Sequence, residues 1–148
     1  MSGNVFVDTN VLLYAHDSTE GVKHAVALAR YSALVADDRL IVSTQVLGEF
    51  YVNAVRTRGK PKRPPVATVE RAERIVALLA ESACYAVRPA DCIRAVAVAR
   101  KHQLGYWDAL IIVAAAASGA DRLLTEDLNH GQTIEGVVIE SPFASLGK

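Results

Sequence analysis

The 148 residues predict an α/β domain in which helices cover a mostly parallel sheet, and three observations carry that expectation. Short β-like runs alternate along the chain with longer helical stretches, the order that strand–helix–strand units produce. Apolar residues make up 51% of the sequence and mean hydropathy is +0.21, which excludes a disordered chain. A chain of this size buries about 68–70% of its unfolded surface, so a single domain over residues 1–148 needs no staple.

Val5-Phe6-Val7 is a short apolar strand, and Asp8-Thr9-Asn10 behind it supplies turn and cap chemistry. His24 to Ala36 reads as a helix rich in Ala, Leu and Val. Leu40-Ile41-Val42 is a second buried strand, with Ser43 and Thr44 as caps for a helix reaching about Arg56. Thr57 to Pro65 is the most loop-like stretch, with one Gly, three Pro and four basic residues. Helix resumes from about Val66 to Ser82, and Tyr85-Ala86-Val87 is a third strand. Pro89 to His102 and Trp107 to Ser118 read as helices, the second ended by Gly119. Leu123-Leu124 and Val137-Val138-Ile139 are strands four and five. After its first turn the helix from Trp107 is apolar on all sides, so burial on more than one face is expected. Asp108, near its start, is unusual in that setting.

Composition excludes several classes of protein. The longest uninterrupted apolar run, Ala109 to Ala117, has nine residues, well short of the ~20 that a membrane-spanning helix needs. The opening Met1-Ser2-Gly3-Asn4 has no basic segment ahead of an apolar one, so no signal peptide is expected. Cys84 and Cys92 are too few for a disulfide framework or a four-cysteine zinc site, and reduced thiols fit a cytoplasmic protein. The histidines show no ligand spacing. Sixteen basic and sixteen acidic side chains cancel, which excludes a uniformly basic wrapper of nucleic acid but leaves room for a local patch. Arg56, Arg58, Lys60, Lys62 and Arg63 form such a cluster.

Four carboxylates are placed where they could act together: Asp8, Glu49, Asp108 and Asp127. Asp8 follows the first strand and Asp127 the fourth, so both fall at the carboxyl edge of a parallel sheet, where ligands bind at the topological switch point. Helix-borne Glu49 and Asp108 can project toward the same edge. Glu49 shares a polar stripe with Gln45 and Asn53 at i, i+4 spacing, beside the apolar row Val46, Phe50 and Ala54. Each acid also has a structural alternative. Asp8 can cap the next helix, and the Gln45-Glu49-Asn53 stripe can be a solvated face. Asp108 can be a charge at a helix N-terminus, worth roughly 0.3–1 kcal/mol; Asp127 and Asn129 can hold a turn. Glu126 reads as a solvated neighbour.

Convergence of the four would have a chemical consequence. Two like charges about 4 Å apart repel by about 4 kcal/mol at an effective dielectric of about 20, so four in one pocket call for a cation. Oxygen ligands without His or Cys suit Mg²⁺ or Mn²⁺ rather than zinc. Such an ion supports hydrolysis of a phosphodiester.

The residues around these acids carry a resemblance. Val7-Asp8-Thr9-Asn10-Val11-Leu12-Leu13 resembles the first motif of PIN-domain ribonucleases, in particular the VapC-type toxins of bacterial toxin–antitoxin modules. Ser43 to Asn53, with Glu49 on a helix, resembles the second motif, and Trp107-Asp108-Ala109-Leu110-Ile111 the third. Leu123 to Gln132, containing Thr125-Glu126-Asp127, resembles the fourth, and Ser141-Pro142-Phe143 is similar to the end of one branch of the family. The order matches over nearly the whole chain. The resemblance implies a three-layer α/β/α sandwich with about five strands, and an endoribonuclease acting as a toxin that blocks translation. It further implies one or two Mg²⁺ or Mn²⁺ ions, homodimers, and a cognate VapB-like antitoxin whose tail covers the active site. Carried over motif by motif, Asp8, Glu49, Asp108 and Asp127 are the metal-binding acids. Thr9 and Thr125 support them through hydroxyl hydrogen bonds, and Asn10 orients the Asp8 turn.

In that setting the basic cluster becomes a candidate contact for RNA phosphates, which are bound electrostatically and carry no sequence information. A solvated loop is the alternative. Single-stranded RNA is the expected target, since exposed bases offer contacts that an A-form helix hides. Tyr51, Tyr106 and Trp107 are candidates for stacking on bases or for the core, and His130, the histidine nearest the expected pocket, is a candidate contact for substrate. Rival readings fit less well. A phosphoacceptor receiver domain needs an Asp after the third strand, where Arg88-Pro89 stands, and a late Lys, yet none occurs between Lys101 and Lys148. An Asp-nucleophile phosphatase commonly carries a second acid two residues after the first, where Asn10 stands. A catalytically silent PIN-like module that binds RNA or protein is the remaining alternative, and metal-dependent cleavage separates it from the enzyme.

Overall fold

The computed structural model describes residues 3–146, so the two residues at each end of the expected 1–148 domain lie outside the described residues. Strand β1 (Val5–Val7) is fully buried and is followed at once by helix α1 (Thr9–Ala15), a short 3₁₀ turn at Ser18–Glu20, and helix α2 (Val22–Ala36). Strand β2 (Leu40–Ser43) leads directly into α3 (Thr44–Val55), where the Ser43 side chain accepts the Val46 N–H as the N-cap. Helix α4 (Val69–Glu81) begins behind a Thr68 cap and is followed by β3 (Ala83–Tyr85). Two more helices, α5 (Pro89–His102) and α6 (Tyr106–Ala117), precede β4 (Arg122–Leu124), β5 (Thr133–Ile134) and β6 (Val137–Glu140).

The six strands form one sheet in the order β3-β2-β1-β4-β6-β5, one more than the expected five. All pairings are parallel except that of β5 with β6, which is antiparallel. Strand β5 has only two residues and joins β6 through Glu135-Gly136, both at positive φ. That is the backbone of a two-residue hairpin turn, usually written Asn-Gly or Asp-Gly, which is why Glu-Gly gave no turn signal. Strand β3 sits two residues earlier than the expected Tyr85–Val87, because its register partner Ser43 ends β2 opposite Tyr85. Helix α1, which the sequence marked only by its cap chemistry, has Val11 and Leu12 fully buried.

The chain runs outward from β1 through β2 to β3, then crosses back over the sheet to β4. Right-handed crossovers therefore set α1 to α4 on one face and α5 and α6 on the other, making three layers. Helix α6 is the inner helix of its layer. Ala109 to Ala115 are all buried, as the all-round apolar pattern required. Reversal of direction between β1 and β4 creates a crevice at their carboxyl ends, and the first turns of α1 and α6 border it.

Candidate active site

Asp8 leaves the end of β1 and serves as the N-cap of α1, its Oδ1 accepting the Thr9 N–H at 2.7 Å. The other oxygen accepts the hydroxyl of Thr125, the residue after β4, at 2.8 Å. The cap and the site are thus the same carboxylate. Hydrogen bonds of this kind favour the charged form, but burial outweighs them, and the charges of Asp127 and Glu49 add to it, so the Asp8 pKa rises to about 7.

The other three acids surround it. Glu49, on α3, accepts from Thr9 Oγ1 at 2.7 Å and from Gln45 Nε2 at 3.0 Å. Asp127 accepts from Asn10 Nδ2 at 2.8 Å, while its own N–H donates to Thr125 Oγ1 at 3.1 Å. Asp108, in the first turn of α6, arrives from the opposite layer; burial raises its pKa, and the Asp127 and Glu49 charges raise it further. All four acids line one cavity of about 270 Å³. Among the described residues none of the four forms an ion pair, and each hydrogen bond made to their side chains comes from a neutral donor.

Neighbouring residues take roles that the sequence alone left ambiguous. Glu126 turns away from the cavity, accepting the Tyr14 hydroxyl at 2.9 Å and pairing with Lys23, whose ammonium stands 5.1 Å from the Tyr14 ring centre. Asp127, not Glu126, therefore faces the other acids. Asn10 spans to the loop after β4 through Asp127 and the Glu126 N–H, instead of orienting the Asp8 turn as expected. The His130 ring accepts the Ser141 N–H at 3.0 Å, and Phe143 is buried edge-on against Tyr14. Gln45, noted in the sequence only as part of a polar stripe, bridges the two layers: its Nε2 donates to Glu49 and to the Trp107 carbonyl, at 3.0 and 3.3 Å.

The donor set fits a hard divalent cation. It is built of carboxylate oxygens, most of them held by hydroxyls and amides, and it has no basic partner among the described residues. Burial first, then mutual repulsion, raises the pKa values of Asp8 and Asp108, and a cation offsets both. Gln45 Oε1 is a buried oxygen without a donor. Among the described residues no three acidic, His or Cys side chains already close around a single point; Thr9, Asn10, Gln45 and Thr125 occupy the carboxylate oxygens instead.

A second cavity of about 230 Å³ adjoins the first and shares Asn10, Leu13 and Asn53 with it. Arg56, Arg58 and Arg63 line it. Arg58 reaches the buried Asp17 carboxylate at 2.5 Å and the Pro64 carbonyl at 3.0 Å, while Arg63 pairs with Glu20 at 3.1 Å. These two fasten the loop to the turn after α1. Arg56, Lys60 and Lys62 make no ion pair among the described residues, so they hold the unmatched charge of the cluster.

Acids gathered at the switch point of a parallel sheet, between layers of helices, define a class of α/β proteins with a carboxylate-centred pocket. The chain belongs to the PIN domain family, whose model matches residues 5–134. Among curated proteins, none is similar enough to match. Solved structures share the fold. VapC20 of Mycobacterium tuberculosis, a toxin that cleaves the sarcin–ricin loop, superposes with a TM-score of 0.59 at 18% identity, covering 81% of this chain and 87% of that one. DNA-bound VapBC from Salmonella typhimurium gives 0.63 at 18% identity, over 95% of this chain and 98% of that one. A toxin–antitoxin complex from Klebsiella pneumoniae gives 0.63 at 21%, over 94% and 98%.

Proposed function

We propose that this protein is a divalent-metal-dependent endoribonuclease, the VapC-type toxin of a toxin–antitoxin pair, acting in the cytoplasm. The observation that carries the proposal is the convergence of Asp8, Glu49, Asp108 and Asp127 on one cavity that no cationic side chain lines among the described residues. Membership of the PIN family and the likeness in fold to VapC20 and to VapBC complexes support it.

In this reading the four acids would hold one or two Mg²⁺ or Mn²⁺ ions. Bound there, such an ion supplies Lewis acidity toward a phosphodiester and lowers the pKa of water. The chain's own residues prepare the site. Thr125 and the Thr9 N–H fix both Asp8 oxygens, Thr9 and Gln45 fix Glu49, and Asn10 fixes Asp127. Rotamers locked in this way hold these three acids in place before substrate arrives. Arg56, Lys60 and Lys62 meet the flanking RNA phosphates, with Arg58 and Arg63 shaping the loop that presents them. A VapB-like antitoxin and a second copy of the chain are the partners that go with this reading.

The test is cleavage of mixed RNAs by partner-free protein with Mg²⁺ or Mn²⁺, with EDTA, and with Asp8→Asn. Cutting that needs both the metal and Asp8 supports the enzyme. Folded protein that neither cuts RNA nor binds metal would instead be a silent PIN-like binding module.

A further inference from the structure

We propose that Trp107 is the platform on which an unpaired RNA base stacks while the adjoining phosphodiester lies against the acids; this rests on the endoribonuclease reading above. Trp107 is the chain's only tryptophan, and it is 63% exposed. Tryptophan is the most costly side chain to leave in water, and it is highly buried on average. This one lines the acid cavity itself and immediately precedes Asp108. A base stacked on the exposed indole at the rim of this cavity would put the adjoining phosphodiester within reach of the acids.

The ring is held in place but left open. It meets Tyr106 at 78° with centroids 4.9 Å apart, an edge-to-face contact that steadies the indole without covering it by a parallel ring. Among the described residues no other aromatic ring and no cation packs on it. The Trp107 carbonyl accepts from Gln45 Nε2, the same nitrogen that donates to Glu49. Turning that amide over would set its oxygen against two acceptors, so the bridge has one sense. One amide thus ties the platform to a cavity acid.

Stacking on an indole suits every base, because each has a π face, and it suits single strands, whose bases are free of neighbours in a duplex. A subunit contact is the competing use of an exposed tryptophan. Ile93 and Val96 on α5 are also exposed, at 74% and 51%, yet neither lines the cavity. Trp107 does, and that position favours substrate.

The lone tryptophan makes the test direct. Metal-free wild type is titrated with a pool of random-sequence octaribonucleotides, following Trp107 emission and the anisotropy of a labelled octamer together. Cleavage constants are then measured for wild type, Trp107→Ala and Trp107→Phe, with Asp108→Asn as the inactive control and with circular dichroism and light scattering on each. The expected result is saturable quenching that tracks binding. Trp107→Ala should raise KM about five- to a hundredfold with kcat little changed, and Trp107→Phe should recover most of it. RNA binding without quenching, or equal KM in wild type and Trp107→Ala, overturns the platform and leaves the nuclease standing. A change from dimer to monomer in Trp107→Ala overturns it in favour of a subunit contact. If wild type neither binds nor cuts RNA and behaves as Asp108→Asn does, the nuclease reading falls and the platform with it.

Discussion

Two groups of carboxylates in this molecule are handled in opposite ways. Glu135, Glu140, Asp17 and Asp91 are all matched. Glu135 faces His102, Lys101 and Arg94, and Glu140 faces Arg30 and Arg122. His102 and Arg30 respectively are the main reasons that their pKa values fall below the usual range. Burial alone would raise Asp17 and Asp91, but bonds from Thr19 and Arg58, and from Arg88 and Tyr85, outweigh it and lower both. At the end of β1 the solution is reversed. Among the described residues neither Asp8 nor Asp108 has a cationic partner, and their pKa values rise. Carboxylates that hold elements together come with their counter-charges, while those of the cavity have none among the described residues. In the proposed reading, that imbalance is what a site taking its cation and its substrate from outside would require.

Neutralising one acid in each group breaks the comparison most sharply. Asp108→Asn should lower RNA cleavage by ~10³-fold or more, while raising the melting temperature of the metal-free protein by removing a charge that burial, and then its acidic neighbours, disfavour. Glu135→Gln should do the reverse, leaving cleavage within a few-fold and lowering stability. A melt and a cleavage assay on each variant decide it, and equal effects on stability would erase the distinction.

Asp17→Ala removes a matched acid and strands the Arg58 guanidinium. Because both partners are largely buried, destabilisation of about 3 kcal/mol is expected by urea unfolding. Mg²⁺ acts on the other group. At about 100 times its Kd it should stabilise wild type by about 2.7 kcal/mol, with little effect on the doubly substituted Asp8→Asn, Asp108→Asn protein.

The pH dependence separates the groups by sign. Asp8 titrates near 7 when folded and near about 3.9 when unfolded. Between those values the native state holds more protons, so its contribution to stability is full below the lower pKa and is lost as pH rises toward 7. Asp108 acts in the same direction. For Asp17, Asp91, Glu135 and Glu140 the folded pKa is depressed, so their contribution is present above the unfolded value and lost as pH falls through the folded one. Melting temperatures of metal-free wild type should therefore decline from about pH 5 to pH 8 relative to Asp8→Asn, and Mg²⁺ should flatten that difference. The smallest effect belongs to the exposed rim. Replacing Lys60 and Lys62 by Ala should weaken RNA binding several-fold, reducing the slope of log Kd against log salt by about 1–2.

Much of the site was legible because its cues are local. Asp8 stands directly after an apolar triplet, Asp108 opens an otherwise apolar helix, and Glu49 shares its helical stripe with Gln45 and Asn53. Each of those patterns survives translation into structure, and the helices came out within a few residues of their expected ends. Partnerships formed across the fold were not legible. Nothing near Arg58 in sequence announces Asp17, and nothing near Glu126 announces Lys23 and Tyr14, so Glu126 read as a solvated neighbour where the fold gives it partners. Likewise β5 was hidden, since two residues beside an unusual Glu-Gly turn make no periodic pattern.

The chain order of strands and helices, the burial of α6 and the placing of acids at element ends follow from hydrophobic period and capping chemistry, which act over a few residues. The tertiary structure alone decided the reversal between β1 and β4, the meeting of α3 and α6 across the sheet, and, among the described residues, the lack of any cationic side chain lining that meeting point. Charge interactions depend on distance and dielectric, and both are set only when residues far apart in the chain are packed together.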